Sequence, residues 1–406
     1  MITRWQEKQV VERLKYRRVV NLTGARQCGK TTLAGMVALP SSRRFTLDDE
    51  KTRNAALDDP MGFVAHAEGE TLVLDEIQKA PELLNAIKIQ VDRDNSRGQY
   101  LLTGSSNLRF VKSVSDSLAG RMGWVRLRTL ALGEIMGGRG DFLQRAFNRD
   151  FADAPRPLGK RDVIHLASQG GYPEVLEMEA KERRLWFAEY LNDLLMKDIR
   201  DVTEIRKLDV LGKIAQWLLA YSSKFFEAKE LSAKAGVSND TLDSYIATLK
   251  TVYLFDEVKP WAKSDYAKIG KRSKFYASDS GLVANLPGWT EDAVYMDDDM
   301  SGKLVETWVY QNLASLIDLD LDYEISQYRD SNKREIDFIV ERPDGAMLGI
   351  EVKSGSSFGP SDFKHLKWFA ANLAKKPFTG IVLYAGEHVL RFGEGFYAVP
   401  LASLAS

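Results

Sequence analysis

The chain contains 406 residues, and at about 100–200 residues per domain this length predicts two to four domains. The 56 Lys and Arg residues nearly balance the 57 Asp and Glu residues, giving a formal net charge of −1. This balance excludes a global basic field, so any nucleic-acid contact must come from a local patch. A single cysteine, Cys28, excludes an internal disulfide framework and a cysteine-based zinc site, and the four histidines lack the close spacing of metal ligands.

The N-terminal residues carry charges at the positions where a secretory signal needs an apolar region. No apolar run in the sequence reaches the roughly 18–20 residues of a membrane span. We therefore predict a cytoplasmic protein that has no membrane partner.

Short apolar runs at residues 17–23, 71–74 and 99–103 end in glycine or in polar residues. Helix-compatible stretches at residues 31–38 and 81–91 alternate with these runs. This alternation is typical of a mostly parallel sheet that is covered by helices. The N-terminal part of the chain is therefore predicted to have an α/β fold.

Residues 24–31 match the pattern G-x-x-x-x-G-K-[ST] at every fixed position, between a predicted strand and a predicted helix. Glycines at these positions let backbone N–H groups surround phosphate oxygens, and the helix N-terminus adds a positive partial charge. We expect Lys30 to reach the β and γ phosphates of a nucleotide, and the Thr31 hydroxyl to bind Mg²⁺. The predicted nucleotide-binding residues are Gly24, Ala25, Arg26, Gln27, Cys28, Gly29, Lys30, Thr31, Thr32 and Ser105.

Asp75 and Glu76 follow the second predicted strand, where an ATPase needs a carboxylate for Mg²⁺ and a group that polarises water. Asp75 is the predicted metal-side residue, and Glu76 is the predicted catalytic residue that activates the water. Ser105, after the third strand, is placed to contact the γ-phosphate, or belongs to an ordinary polar turn. Arg121 is a further catalytic candidate that neutralises transition-state charge in its own subunit or in a neighbouring one, with a structural arginine as the alternative.

Beyond about residue 130 the pattern becomes helical, and residues 161–200 are predicted to form a helical connecting region. Residues 210–250 predict three helices, the last two joined in a helix-turn-helix with Ser238 as an N-cap. Residues 251–276 alternate apolar and basic residues, which indicates a β-hairpin.

The second helix of this helix-turn-helix begins with Asp240 and Asp243, which would repel DNA phosphates. The basic residues of the following hairpin are better candidates for contacts with a DNA backbone. They are Lys259, Lys263, Lys268, Lys271, Arg272 and Lys274. The alternative is a module that contacts protein and has a solvated basic wing.

From about residue 279 a mixed α/β pattern returns, with Asp337 in one predicted strand and Glu351 and Lys353 in the next. If these strands pair, Asp337 approaches Glu351, and the two carboxylates can hold Mg²⁺ with Lys353 beside the metal. Glu306, on the preceding helix, could complete the set of metal ligands. This is the arrangement of PD-(D/E)xK nucleases, and the alternative is an inert fold of the same kind.

The sequence resembles the prokaryotic AAA-type ATPases that carry a C-terminal domain of unknown function with a restriction-endonuclease-like region. The segments that carry the resemblance are residues 24–33, 72–78, 101–106, 118–121, 170–174, 335–338 and 350–355. The resemblance implies an ATP-binding AAA-type core, a winged-helix-like middle and a nuclease-like end. It also implies ATP over GTP. This choice rests on the resemblance, because the loop at residues 24–31 binds phosphates and does not distinguish the bases.

The predicted domains are an AAA-type ATPase domain (1–155), a helical connecting region (156–205), a winged-helix-like domain (206–276) and a restriction-endonuclease-like domain (277–406). We predict Mg²⁺-dependent ATP hydrolysis that repositions the C-terminal parts on DNA. The alternatives are a metal-dependent nuclease switched by ATP, and a nucleotide-sensing module whose partner is another protein. The sequence leaves the oligomeric state open.

Overall fold

The computed structural model describes residues 2–38, 42–67, 69–106, 118, 120–153, 156–202, 205, 207–264, 272–319 and 322–406. Within these ranges the strands form a five-stranded sheet, a two-stranded hairpin and a six-stranded sheet. None of the helices in the described part of the chain is both long and apolar enough to cross a membrane.

The five-stranded sheet lies in the N-terminal part of the chain. Its strands are β1 (Val19–Thr23), β2 (Arg43–Thr46), β3 (Leu72–Asp75), β4 (Tyr100–Gly104) and β5 (Met122–Arg126). Their order is β2-β3-β4-β1-β5, and every neighbouring pair is parallel. The helices of this part are α1 (Gln6–Tyr16), α2 (Lys30–Val37), α3 (Glu50–Asp58), α4 (Pro60–Val64) and α5 (Leu83–Arg93), with short 3₁₀ turns at Ala65–Ala67 and Ile77–Lys79.

The predicted parallel α/β sheet is confirmed. All residues of β1 and β4 are buried, as expected for central parallel strands that are covered on both faces. The sequence analysis missed β2 and β5. Strand β2 is an edge strand with three of its four residues exposed, and β5 contains Gly123 and Arg126, so neither is an apolar run.

The following segment is helical, as predicted. Its elements are α6 (Leu132–Met136), α7 (Phe142–Phe147), α8 (Lys160–Gln169), a 3₁₀ turn (Pro173–Glu177), α9 (Ala180–Asp193), one π-helical turn (Leu194–Asp198) and α10 (Ile199–Val202). Gly170 and Gly171 precede the 3₁₀ turn in close contact with other segments. A Cβ atom on Gly171 would lie 2.2 Å from the Leu130 carbonyl oxygen, and one on Gly170 would lie 2.3 Å from Oδ1 of Asp279. The two glycines therefore let this segment pack closely against Leu130 and Asp279.

Three helices and a hairpin make up the middle of the chain, in the predicted order. They are α11 (Leu208–Ala220), α12 (Ala228–Ala235), α13 (Asn239–Thr251), β6 (Phe255–Val258) and β7 (Lys274–Ala277). Gly236 ends α12 at a φ of +66°, and the Ser238 hydroxyl caps α13 by accepting from the Thr241 N–H at 3.2 Å. Strands β6 and β7 are antiparallel. The predicted Lys268 and Lys271 lie outside the described residues.

A six-stranded mixed sheet and its helices complete the chain. The helices are α14 (Ser280–Asn285), α15 (Glu291–Met296), α16 (Asp298–Leu319) and α17 (Lys364–Asn372), with 3₁₀ turns at Pro360–Phe363 and Leu401–Ala405. The strands are β8 (Glu324–Arg329), β9 (Glu335–Glu341), β10 (Met347–Lys353), β11 (Phe378–Tyr384), β12 (Leu390–Arg391) and β13 (Phe396–Pro400). They lie in the order β12-β13-β11-β10-β9-β8, with β9 and β10 antiparallel and β10 and β11 parallel.

The hairpin is attached to this second sheet through backbone hydrogen bonds. Gln327 in β8 donates its N–H to the Lys259 carbonyl at 3.0 Å, and its own carbonyl accepts from the Trp261 N–H at 2.6 Å. The Trp261 ring also contacts the ring of Phe369, with 4.8 Å between the ring centroids. The chain after β6 therefore runs along the edge of the second sheet.

A buried ion-pair network joins the N-terminal sheet to the hairpin and to α16. Arg128 lies just past β5, and its Nη1 atom is 2.5 Å from Asp256 Oδ2 in β6. Its Nε atom is 2.6 Å from Asp318 Oδ2 in α16, and Arg126 Nη1 is 2.9 Å from Asp256 Oδ1. Burial alone would raise the pKa of Asp256, but the two arginines hold it well below its ordinary value. These ion pairs thus connect the end of β5 to the hairpin and to α16.

We expect Asp256→Asn to lower the free energy of unfolding by about 3–5 kcal/mol at pH 7, because it leaves buried arginine charge uncompensated. The folded state depresses the pKa of Asp256, so the stabilisation is present above about pH 4 and is lost as the pH falls further. Chemical denaturation over pH 3–7 measures both effects. Asp240→Asn, at an exposed position of α13, is the control, and an equal effect of the two variants would contradict the assignment.

Candidate functional site

The loop between β1 and α2 lies at the carboxyl edge of the parallel sheet. Gly24 has a φ of +157°, and a Cβ atom there would lie 2.0 Å from the Leu127 carbonyl oxygen. Gly29 has a φ of +101°, in the region that glycine adopts without strain. Both glycines of the motif are therefore required by the backbone. The buried Cys28 places its Sγ atom 3.4 Å from the same Leu127 carbonyl, as expected of a small spacer.

Lys30 is the first residue of α2, and its side chain folds back into the loop. The residue is only 4% exposed, and its Nζ atom donates to the Ala25 carbonyl at 2.9 Å. The ammonium group therefore lies beside the backbone of the loop, at the N-terminus of a helix. The Lys30 ammonium and the N-terminus of α2 therefore both place positive charge on the same side of the loop.

Thr31 and Asp75 meet across the sheet edge, although 44 residues separate them. The Thr31 hydroxyl lies 2.9 Å from Oδ1 and 3.1 Å from Oδ2 of Asp75. The Thr103 hydroxyl, in β4, also donates to Oδ1 of Asp75. Strands β3 and β4 are adjacent, so two neighbouring strand ends orient this carboxylate toward α2. The oxygen donors of Thr31 and Asp75 are of the kind that Mg²⁺ prefers, so these residues fit a magnesium ion.

Glu76 follows Asp75 in a left-handed backbone conformation, with a φ of +59°. Its N–H donates to the Thr103 hydroxyl at 3.3 Å. Gln78 donates its amide N–H to the Glu76 carboxylate and to the Ser105 hydroxyl, the latter at 3.0 Å. The predicted Glu76 and Ser105 are thus linked through Gln78. No role was predicted for Gln78, although it lies within the segment 72–78.

Arg26, at the tip of the loop, contacts a residue of the helical segment. Its Nη1 atom lies 2.7 Å from Oδ1 of Asp198, in the π-helical turn. Burial alone would lower the pKa of Arg26, but Asp198 raises it above the ordinary value. π-Helical turns are rare and occur frequently at functional sites. The sequence offered no signal for this pair, because 172 residues separate its members.

Arg4, which precedes α1, binds the backbone of the loop. It is 6% exposed, and its Nη1 and Nη2 atoms donate to the Cys28 carbonyl at 2.7 Å and to the Arg128 carbonyl at 2.6 Å. Its Nε atom is 2.9 Å from Oε1 of the buried Glu134. The N-terminal segment is therefore a structural part of the candidate site, which sequence analysis missed.

Arg121 lies away from the loop of its own chain. It immediately precedes β5, and Met122 pairs with Val19 at the start of β1, at the sheet edge opposite to the loop. Its Nε atom is 2.5 Å from Oδ1 of Asp92, and its Nη2 atom is 2.9 Å from Oδ2 of the same residue. The prediction that Arg121 acts in its own subunit does not fit this position, because β5 runs away from the residue toward the loop.

The predicted C-terminal carboxylates come close together, but a lysine joins them. Lys274 Nζ, from β7, lies 3.1 Å from Oε1 of Glu306 and 3.7 Å from Oδ1 of Asp337. It also lies 2.7 Å from Oε1 of Glu335. Lys274 was predicted to contact DNA phosphates, and this prediction is wrong, because its side chain is only 2% exposed. Arg272 is exposed and paired with Glu227, and Lys259 and Lys263 are also exposed in the described part of the hairpin segment.

Burial raises the pKa of the three C-terminal carboxyl groups that were predicted to bind a metal. It raises the pKa of Glu306 to about 7, and the pKa values of Asp337 and Glu351 also lie above the ordinary values. Lys353 Nζ lies 3.6 Å from Oε1 of Glu351 but closer, at 3.2 Å, to Oδ1 of Asp362. Within the described ranges, no group of three or more His, Cys, Asp or Glu side chains is arranged to hold a metal ion. The predicted metal site at Glu306, Asp337 and Glu351 therefore does not form in this arrangement.

Three family models match the chain in succession. Residues 16–136 match an AAA domain, and residues 160–293 and 301–404 match domains of unknown function, DUF8612 and DUF4143. Uncharacterized proteins from Mycobacterium tuberculosis and Mycobacterium bovis are each 27% identical to this chain over 388 residues, which covers 94% of this chain and 80% of either relative.

A solved RuvB variant from Thermotoga maritima aligns with 62% of this chain and 87% of its own, at 20% identity and a TM-score of 0.28. This TM-score is too low to carry an argument. The AAA domain match, in contrast, spans the loop at residues 24–31, Asp75 and Glu76. Together with the five-stranded parallel sheet, it shows that the N-terminal part of the chain has the fold of a P-loop AAA-type protein.

Proposed function

We propose that the chain binds ATP at the loop of residues 24–31 and hydrolyses it. The observation that carries this proposal is the contact of Thr31 with Asp75 beside the Lys30 ammonium, at the carboxyl edge of a parallel sheet. This edge is where α/β sheets bind ligands, and the P-loop motif supplies the backbone donors for phosphates. The AAA domain match favours adenine over guanine.

Each residue of the site has a role in this proposal. Lys30 exchanges its bond with the Ala25 carbonyl for bonds with the β and γ phosphate oxygens. Thr31 and Asp75 would hold Mg²⁺, which would supply positive charge beside the phosphates. Thr103 keeps the Asp75 carboxylate turned toward Thr31 through its hydrogen bond.

Glu76 is the proposed group that orients and deprotonates the attacking water. Gln78 holds the Glu76 carboxylate through its amide and the same amide donates to Ser105. Movement of Ser105 on contact with the γ-phosphate would therefore shift the Glu76 carboxylate through Gln78. A base held this way by a neighbouring amide is poised for a proton transfer that contributes about 10²–10⁴-fold to rate.

The nucleotide state reaches the rest of the chain through Arg26 in this proposal. Phosphate oxygens in the loop compete with Asp198 for the Arg26 guanidinium, since both are anionic acceptors. Loss of the bond between Arg26 and Asp198 removes this contact between the loop and the π-helical turn, which packs against α11 and joins α9 to α10. The helical segment then shifts relative to the loop when ATP binds.

The macromolecular partner is the second part of the proposal. The exposed start of α13 carries Asp240 and Asp243, and Lys274 is buried, so the surface of this module repels DNA phosphates more than was predicted. These positions favour a protein partner over DNA for the helix-turn-helix module. DNA coupling through Lys259 and Lys263 remains the alternative.

We expect Lys30→Ala to abolish ATP turnover, and Glu76→Gln to lower it by about 100-fold or more while ATP binding is retained. Phosphate release measures turnover, and a fluorescent ATP analogue measures binding. Lys51→Ala and Glu82→Gln change exposed residues of the same types and serve as matched controls. Turnover by Lys30→Ala at the level of Lys51→Ala would contradict the proposal.

Asp198→Asn removes the competitor for Arg26, so we expect ATP to bind about two- to fivefold more tightly, which corresponds to a pair worth up to about 1 kcal/mol. Arg26→Ala weakens ATP binding, and in the double variant the Asp198 change has no further effect. Titration with the fluorescent analogue provides the four affinities, with Glu189→Gln on α9 as the control. Equal effects of Asp198→Asn with and without Arg26 would exclude the competition.

We propose that a catalytic Arg121 serves the loop of a neighbouring copy in an oligomer, because it lies far from the loop of its own chain. The alternative is a structural arginine, which its two contacts with Asp92 favour. If Arg121 serves a neighbouring copy, a mixture of Arg121→Ala and Glu76→Gln subunits should recover turnover that neither variant has alone, because some interfaces combine an intact Glu76 with an intact Arg121. Asp92→Asn breaks the same ion pair but keeps the guanidinium, so it should remain active. A mixture without recovery would eliminate this role.

A further inference from the structure

The side chain of Lys274 is the least expected feature of the C-terminal carboxylate cluster. It comes from β7 of the hairpin, whereas its partners come from α16 and β9. Its Nζ atom lies 2.7 Å from Glu335, 3.1 Å from Glu306 and 3.7 Å from Asp337. One ammonium group therefore faces three carboxylates from two other elements.

The other groups around the cluster complete its hydrogen bonding. The Tyr276 hydroxyl, two residues along β7, donates to Oε1 of Glu306 at 2.7 Å. Oδ2 of Asp337 accepts the Val352 N–H at 2.9 Å, which ties β9 to β10. The acceptors nearest to Lys274 are thus supplied with donors from the protein itself.

An aromatic side chain covers the ion pair. Phe225, after α11, has the Lys274 ammonium 5.3 Å and the Arg329 guanidinium 4.7 Å from its ring centroid. Arg329 Nε is also 3.7 Å from Oε2 of Glu335. The ring restricts access of water to the ammonium, and exclusion of water strengthens its attraction to the carboxylates.

A divalent cation cannot share this position with the ammonium group. A metal between Glu306 and Asp337 would stand within a few ångströms of Lys274 Nζ, where two like charges repel strongly in a buried site. Burial of a lysine is costly without paired carboxylates, and the three carboxylates raise the pKa of Lys274 above its ordinary value despite that burial. The cluster is therefore matched to an internal cation.

We propose that the Lys274 ammonium occupies the place that a nuclease-type divalent cation would take between Glu306 and Asp337. The three carboxylates then bind the lysine of the hairpin and hold β7 against α16 and β9. In this arrangement the C-terminal part binds no catalytic metal and does not cleave nucleic acid. This proposal is independent of ATP hydrolysis, because it concerns residues of the hairpin and the second sheet alone.

The test is Mn²⁺ binding, measured by electron paramagnetic resonance on the full chain without nucleotide. The variants are Lys274→Met, which keeps the aliphatic stem, and Lys263→Met, a matched change at an exposed lysine of the same hairpin segment. Asp337→Asn is introduced into each of these variants and into the otherwise unchanged chain. Binding at the Thr31 and Asp75 site is common to all variants, so only the Asp337-dependent part is compared.

We expect Asp337-dependent Mn²⁺ binding in Lys274→Met, and none in the unchanged chain or in Lys263→Met. The unfolding temperature of Lys274→Met should fall by at least about 5 °C and recover in part with Mn²⁺, because the ion replaces the lost charge. Failure of Lys274→Met to gain this site would overturn the proposal.

Asp337-dependent Mn²⁺ binding by the unchanged chain would overturn it as well, since the ammonium would then leave room for a metal. This second measurement decides the question even if Lys274→Met does not fold. Absence of that binding, with an intact unfolding transition, supports the proposal that Lys274 takes the place of a metal.

Discussion

The ion pairs of Arg128 at the end of β5 are the interaction on which the rest of the structure depends. Its guanidinium binds Asp256 of the hairpin and Asp318 of α16, and its carbonyl accepts from Arg4. Arg4 in turn binds the Cys28 carbonyl of the nucleotide loop. A buried pair of this kind is costly to break, so the loop, the hairpin and the long helix keep a common frame. The proposed site is therefore built on contacts that lie far apart in sequence.

Two further ion pairs, that of Arg26 with Asp198 and that of Lys274 with its carboxylates, have different proposed roles. The Arg26 guanidinium, paired with Asp198, is 38% exposed, so a nucleotide phosphate can reach it and replace the carboxylate. The Lys274 ammonium is only 2% exposed among its carboxylates, so solvent and small anions have little access to it. The first pair suits a switch and the second suits an anchor. This difference in burial explains why we assign coupling to the loop and attachment to the hairpin.

The sequence predicted those parts that depend on local pattern. The buried runs of β1, β3 and β4, the loop of residues 24–31, and the cap at Ser238 all follow from short segments. Strands β2 and β5 were missed because an edge position and a glycine remove the apolar run. The position of Arg121 and the pairing of Lys274 depend on sheet order and on packing between distant segments, which no local pattern contains. Glu306 and Asp337 were predicted to lie close together as metal ligands, but Lys274 was not predicted to lie between them.

The central claim is that the loop of residues 24–31 is a hydrolytic ATP site. The most direct measurement is phosphate release by the purified chain in ATP and Mg²⁺, with and without single-stranded, duplex and branched DNA. The account predicts saturable release that requires Mg²⁺ and is indifferent to DNA, since the exposed face of α13 is acidic. Absence of release under every condition would contradict the claim, and release that appears only with DNA would return the helix-turn-helix module to DNA binding.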